Sequence, residues 1–257
     1  MQRSIDLRHF KKCWSAWPDV NWSVQFLRQH RQFDSFVDQW LTDYRALDKT
    51  IYCQPGCSGC CFLAVHATFP EAAAIAGQLS QKQTTQLSTY ISRLKRVLSA
   101  TSDLKSYLKS HRQSVGPCPF LDGRNNCSIY PIRPLSCRAL LSTRPADWCT
   151  VDFSELDKWD KLAYESSLDR QVVAWPSHFV AATQNFGRTL EDQLIETMQR
   201  TKGWALSGNL CAMVWLEQKY QLSQDGLFAA RQATEVLAAE GLDHEFLLRL
   251  SASSYPG

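Results

Sequence analysis

Apolar residues recur at three- and four-residue steps over 21–49, where Phe26, Phe33, Phe36, Val37, Trp40, Leu41, Tyr44 and Leu47 mark one stripe. That spacing predicts an amphipathic helix, with Asn21 as its cap. The pattern resumes after residue 67: Thr68 is placed to cap, Pro70 suits a first turn, and Glu71 faces the positive end of a helix running through the alanines to Leu79. A further helix over 83–98 carries Leu87, Ile91, Leu94, Val97 and Leu98 on one face, and a weaker one covers 104–112. Helical patterns return at 156–168, 189–198, 210–220, 226–240 and 243–250. No internal repeat interrupts this series. Strands alternating with helices, which a cofactor-binding parallel sheet requires, are missing from the pattern.

Two stretches break the periodicity. The first, CQPGCSGCC over 53–61, holds Pro55, Gly56 and Gly59, which forbid continued helix and favour tight turns. The second, over 116–149, holds five prolines and turn signals at Asp122-Gly123 and Asn125-Asn126, and reads as irregular loop with at most a short hairpin. More than 30 residues of loop need something to pin them. With few apolar contacts expected in its turns, metal ligation is the predicted source of order. The fold class that follows is mostly α, a helical scaffold around an irregular, cysteine-rich, metal-binding loop region. Its parts are a helical segment over 1–50, a cysteine-cluster domain over 51–150 and a helical region over 151–257, packed as one globular unit.

Composition narrows the chemistry. A chain of 257 residues that is 44% hydrophobic, with nine tryptophans, can fill a core without help from cysteines. A formal charge of +3 is too small to imply nucleic acid or an anionic membrane surface as partner, and neither is expected. No stretch reaches the roughly 18 apolar residues of a membrane span, and no apolar signal region follows the basic start, so a cytoplasmic location is expected. In a reducing compartment, clustered thiols bind metals or do redox chemistry rather than form disulfides.

Eight of the ten cysteines fall between 53 and 149: Cys53, Cys57, Cys60, Cys61, Cys118, Cys127, Cys137 and Cys149. Short spacings let thiolates converge because the intervening turn reverses the chain, and glycines let backbone N–H groups point at sulfur. The adjacent pair Cys60-Cys61 adds a constraint, since neighbouring side chains of extended chain point apart; either a turn brings them together or they serve different centres. Two four-ligand sites, or one site with surplus thiols nearby, both satisfy the count. Cys13 and Cys211 are isolated, and Cys211 lies on an apolar helix as a buried core thiol would. Arg133 and Arg138 flank the loop cysteines and are candidates to donate hydrogen bonds to an anionic thiolate site. Tyr130 and Phe120 are placed to shield such a site, and His66 is a candidate substitute ligand. No nucleophile elbow, phosphate loop or HExxH motif is present.

Cys53 to Cys60 match the CxxxCxxC spacing by which radical enzymes using S-adenosylmethionine hold a 4Fe-4S cluster, but those enzymes place it after the first strand of a β/α barrel. A closer likeness lies elsewhere. CQPGCSGCC, an alanine-rich helix, then CPFL, NNCSIYPIRP and SCR resemble, in that order over 53–138, the bacterial CxxCxxCC family of zinc- or iron-chelating proteins. The resemblance implies Cys53, Cys57, Cys60, Cys61, Cys118, Cys127 and Cys137 as ligands and leaves Cys149 outside the matched part. Flagellin lysine methylases share this cysteine pattern. The expected cofactor is an iron-sulfur cluster, of 4Fe-4S type on the strength of the Cys118-Pro119 step, or zinc. The expected function is metal handling or electron transfer. Alternatives are a cluster-dependent enzyme such as an S-adenosylmethionine-using methyltransferase, and a structural zinc protein whose ordered loops dock a protein partner.

Overall fold

The computed structural model describes residues 22–223 and 230–252. Helix α1, Trp22–Ala46, buries Trp22, Phe26, Phe33 and Tyr44 along the expected stripe, together with Gln29 and His30. Asn21 and Cys13 lie outside the described residues. Helix α2, Phe69–Ala76, is buried on all sides, and Ser80 starts α3, Gln81–Leu98, whose buried face is Leu87, Tyr90, Ile91, Leu94, Val97 and Leu98. The remaining helices are α4 (Leu104–Ser110), α5 (Leu135–Ala139), α6 (Lys158–Ser166), α7 (Ala181–Lys202), α8 (Leu210–Tyr220) and α9 (Ala230–Ala239). The mostly helical class holds.

The helical pattern gave no sign of one element, a three-stranded antiparallel sheet of β1 (His66–Thr68), β2 (Trp204–Asn209) and β3 (Leu248–Ala252) in the order β1-β2-β3. Its register pairs His66 with Asn209 and Trp204 with Ala252. Helix packing covers β2, so Trp204, Ala205, Leu206 and Ser207 are all buried and the strand shows no alternation of polar and apolar residues. The stretch expected to be helical over 243–250 instead turns and enters β3. At Gly208 (φ +137°) a Cβ would stand 2.2 Å from the Leu247 carbonyl oxygen, so this pairing admits only glycine.

One continuous core joins residues from all parts of the chain, including Phe26 and Phe33, Phe69 and Ile75, Leu87 and Ile91, Leu190 and Leu194, and Met213 and Leu216. Helix α8 lies along α2, and α7 runs beside both α5 and β2. A smaller cluster of Tyr164, Leu168 and Val173, with Trp148 and Phe153 against it, underlies the end of the cysteine-rich region. The long irregular segment is better anchored than expected. Phe120, Ile129, Ile132, Leu135 and Ala139 all enter the core, so apolar burial contributes to its order.

Candidate metal centre

After α1 the chain makes two tight turns. The Cys57 amide donates to Gln54 O (3.0 Å) and the Cys61 amide to Ser58 O (2.9 Å), leading into a 3-10 turn at Gly59–Phe62. This turn resolves the geometry of the adjacent pair, since it sets the Cys60 and Cys61 thiols against each other. Gly59 is what lets Cys149 approach: a Cβ there would lie 2.5 Å from Cys149 Cβ. Cys53 is held from the other side, its sulfur accepting the Ser142 amide at 3.2 Å and facing Leu140 O at 3.6 Å.

The second group is joined to the first through the backbone, where the Cys118 amide donates to Cys61 O at 2.8 Å. From Cys118 a narrow hairpin, bridged at Leu121 and Cys127 and turned by Asp122 and Asn125, brings Cys127 back beside it. Cys137 comes from α5, and one buried carboxylate fixes the start of that helix. Glu71 accepts the Leu135 amide (2.7 Å), the Thr68 amide (2.9 Å) and the Thr68 hydroxyl (2.8 Å), with His30 Nε2 at 3.7 Å. Burial alone would raise its pKa, but His30 and the two amides outweigh that and hold the carboxyl below its usual range.

The thiols resist ionising singly. Burial, followed by the Cys118 charge, raises Cys127 to about 11; burial and then the charges of Cys60, Cys57 and Cys53 raise Cys149 to about 11, against a Ser142 bond that lowers it. Burial, then Cys118, pushes Cys137 well up, and contact with Cys61, then burial, does the same to Cys60. These mutual influences sort the thiols into two sets. Cys53, Cys57 and Cys149 form one, Cys118, Cys127 and Cys137 the other, and Cys60-Cys61 lies where they meet. Among the described residues, no three Cys, His, Asp or Glu side chains stand close enough to grip a single ion as they are. The donors are nonetheless sulfur throughout, a set that suits a thiophilic metal, and a cation among them would reverse the resistance to ionisation.

Residues 52–161 match the CxxCxxCC family, described as a "putative zinc- or iron-chelating domain". This segment is a CxxCxxCC domain. No curated protein and no solved structure matches the chain. The matched segment extends past Cys149, which therefore joins the other seven candidate ligands inside the domain.

The two arginines of the CxxCxxCC domain divide the work that sequence spacing assigned to both. The charge of Arg133 favours ionisation of Cys53, Cys60, Cys127 and Cys137, while its guanidinium lies 4.2 Å over the Tyr130 ring. Its buried Nε has no partner among the described residues, and a thiolate set would supply the missing acceptor. Arg138 is committed elsewhere: Nε donates to Arg133 O (3.0 Å), and its terminal nitrogens to Pro131 O (2.6 Å) and Asp34 (2.7 Å). It anchors the loop to α1. Tyr130 is 57% exposed and backs Arg133 instead of covering the thiols, while Phe120 is buried in the core.

A ninth thiol has company that sequence spacing did not show. Cys211 is buried as expected, but it sits in the first turn of α8 against the Cys118 thiol and the Tyr90 hydroxyl, outside the CxxCxxCC domain. Cys149 also has a neighbour that sequence spacing did not nominate, His178, whose Nε2 lies 3.4 Å from the sulfur while Nδ1 faces the Tyr164 hydroxyl at 2.9 Å. Burial and nearby Arg144 and Arg112 lower this histidine to about 4, so it is neutral. His66 is not with the thiols; its ring pairs with Glu191.

Proposed function

We propose that the CxxCxxCC domain is an iron-sulfur electron-carrying unit, with 4Fe-4S clusters held by two sets of four thiolates that meet at Cys60 and Cys61. The observation that carries this reading is the gathering of the domain thiols about the Cys60-Cys61 turn, with Cys53, Cys57 and Cys149 to one side and Cys118, Cys127 and Cys137 to the other, while no three described side chains stand close enough to grip a lone ion. An inorganic cluster suits that spacing, because each of its irons takes one sulfur. A 4Fe-4S cluster supplies one-electron chemistry at a potential set by burial and hydrogen bonds to sulfur.

The chain's own residues would do the tuning. Ser142 N–H donates to the Cys53 sulfur, and Arg133 brings positive charge toward both sets. Cys118, Cys127 and Cys137 pack against the core and Cys149 is buried too, whereas Cys53 is exposed and opens one edge of its set to water, which bears on its potential. An exposed member beside a buried one suits a carrier that takes electrons at its surface.

Anaerobic purification followed by iron, sulfide and zinc analysis tests this. Two 4Fe-4S clusters carry about eight iron and eight sulfide per chain. Cys149→Ser and Cys137→Ser should each lose about half, and each from a different set. Zinc without sulfide would overturn the proposal in favour of a structural zinc domain, and loss of all iron in both variants would show a single centre.

A further inference from the structure

A cavity of about 200 Å³ lies between the loop after Cys61, α5 and α7. The chain builds it with care for charge. His66, on edge strand β1, directs Nδ1 at Glu191 Oε2 (3.3 Å), and Ser136 donates to Glu191 Oε1 at 2.6 Å. Glu191 is 5% exposed, so both oxygens of a buried carboxylate are taken up by these two neighbours. The His66 side chain is 42% exposed, and no described residue bonds its Nε2. Three residues before Glu191, and therefore on the same face of α7, Arg188 lines the same cavity with no carboxylate partner among the described residues. Leu63, Ala139 and Leu140 supply an apolar wall.

The charges can be counted without deciding where one proton sits. With a single proton between them, His66 and Glu191 are neutral as a pair, whichever holds it, and Arg188 is left as the uncompensated charge. Burial works against a charged ring, but the bond to Glu191 outweighs it and raises the histidine above its ordinary value, which makes an Nε2–H donor available. A guanidinium and an imidazolium N–H beside an apolar wall are complementary to a carboxylate carrying a short aliphatic chain. The volume is below the 300 Å³ at which drug-sized pockets begin, which restricts the ligand to a few carbons.

We propose that this cavity is a binding site for a small aliphatic carboxylate, its carboxylate held by Arg188 and His66 and its chain against Leu63, Ala139 and Leu140. The wall is shared with the metal centre, since Leu140 O faces the Cys53 sulfur and Ser136 adjoins Cys137. Binding itself needs no metal, so this proposal stands apart from the cluster assignment.

The test uses the full chain, with and without metal, and three probes of equal length: butyrate, butyramide and butylamine. Calorimetry and saturation-transfer NMR should give butyrate a Kd in the millimolar range or below, at least about tenfold tighter than butyramide, with butylamine not binding. His66 ring resonances should move with butyrate. Arg188→Ala should weaken butyrate at least about tenfold, and Arg188→Lys less, because a point charge replaces a two-pronged donor. Arg188 is exposed, so its variants should keep the wild-type circular dichroism; His66→Gln provides a second route to the same loss. Equal affinity for butyrate and butyramide, unchanged butyrate binding in Arg188→Ala, or no butyrate binding at about 50 mM would each overturn the proposal.

Discussion

Replacing Glu71 strikes the joint between scaffold and metal centre. Its carboxylate is fully buried and takes two backbone amides and a hydroxyl within 2.9 Å, one of them the Leu135 amide that opens the helix bearing Cys137. Hydrogen bonds to a charged acceptor contribute about 1.5–3 kcal/mol each, and an amide left unpaired in the interior forfeits its desolvation as well. Glu71→Ala should therefore cost about 3–5 kcal/mol, because it leaves two amides and a hydroxyl unpaired in the interior. Glu71→Gln keeps one acceptor oxygen and should cost about 1.5–3 kcal/mol. Urea unfolding followed by far-ultraviolet circular dichroism measures both, and metal retention should fall in the same order.

Acid provides a second axis. The folded pKa of Glu71 lies below the unfolded value of about 4.3, so its contribution is complete above that value and is lost as pH falls through the folded one. The gap between wild type and Glu71→Gln should stay level from pH 7 to about pH 5 and close below about pH 4. A Glu71→Gln midpoint equal to wild type at pH 7, or a gap that widens on acidification, would refute the role assigned to this carboxylate.

Arg133→Met, which keeps the stem and removes the charge, should weaken metal retention against a chelator by about tenfold, with Arg133→Lys intermediate. Cys211→Ser retains a hydrogen-bond donor toward Cys118 and should keep its metal, whereas Cys211→Ala should hold the same amount of metal less tightly; loss of metal stoichiometry in both would make Cys211 a ligand. Chelated protein exposed to trypsin should be cut first after the exposed Arg124 at the hairpin tip, while Arg138, with its side chain 10% exposed and bonded three ways, stays intact. Equal cleavage at the two sites would show that ligation, and not the burial of Phe120, Ile129 and Leu135, orders this segment.

The sequence was most readable where one helix face meets one core. The span of α8, Leu210–Tyr220, follows directly from apolar spacing, and the turn at Thr68, Pro70 and Glu71 announces α2. Glu71 was legible only as a helix-start charge, because its bonds to Leu135 and His30 depend on packing between distant segments. The sheet left no trace, since β1 has three residues, β2 is covered on both faces, and the leucines leading into β3 also fit a helical step. The cysteines themselves stood out by spacing, yet their company did not. Cys211 reaches Cys118 because the Leu210 amide donates to Val65 O and β2 pairs with β1, which seats α8 beside the turn carrying Cys60 and Cys61. Adjacency to Cys137 favoured Arg138 slightly over Arg133 as a donor to the thiols, and only the bonds of Arg138 to Asp34 and Pro131 show that it is committed elsewhere.

The pairing of β1 with β2 also imposes an order of events on synthesis. At ribosomal rates of about 5–20 residues per second, Cys211 is polymerised roughly 8 to 30 s after Cys61, and β1 has no neighbouring strand until Trp204–Asn209 has emerged. Throughout that interval the nascent thiols of the CxxCxxCC domain lack the strand and helix that will seat them. They are then open to oxidants and to whatever metal is most abundant. The seating of these sulfurs is therefore complete only once the last third of the chain has arrived.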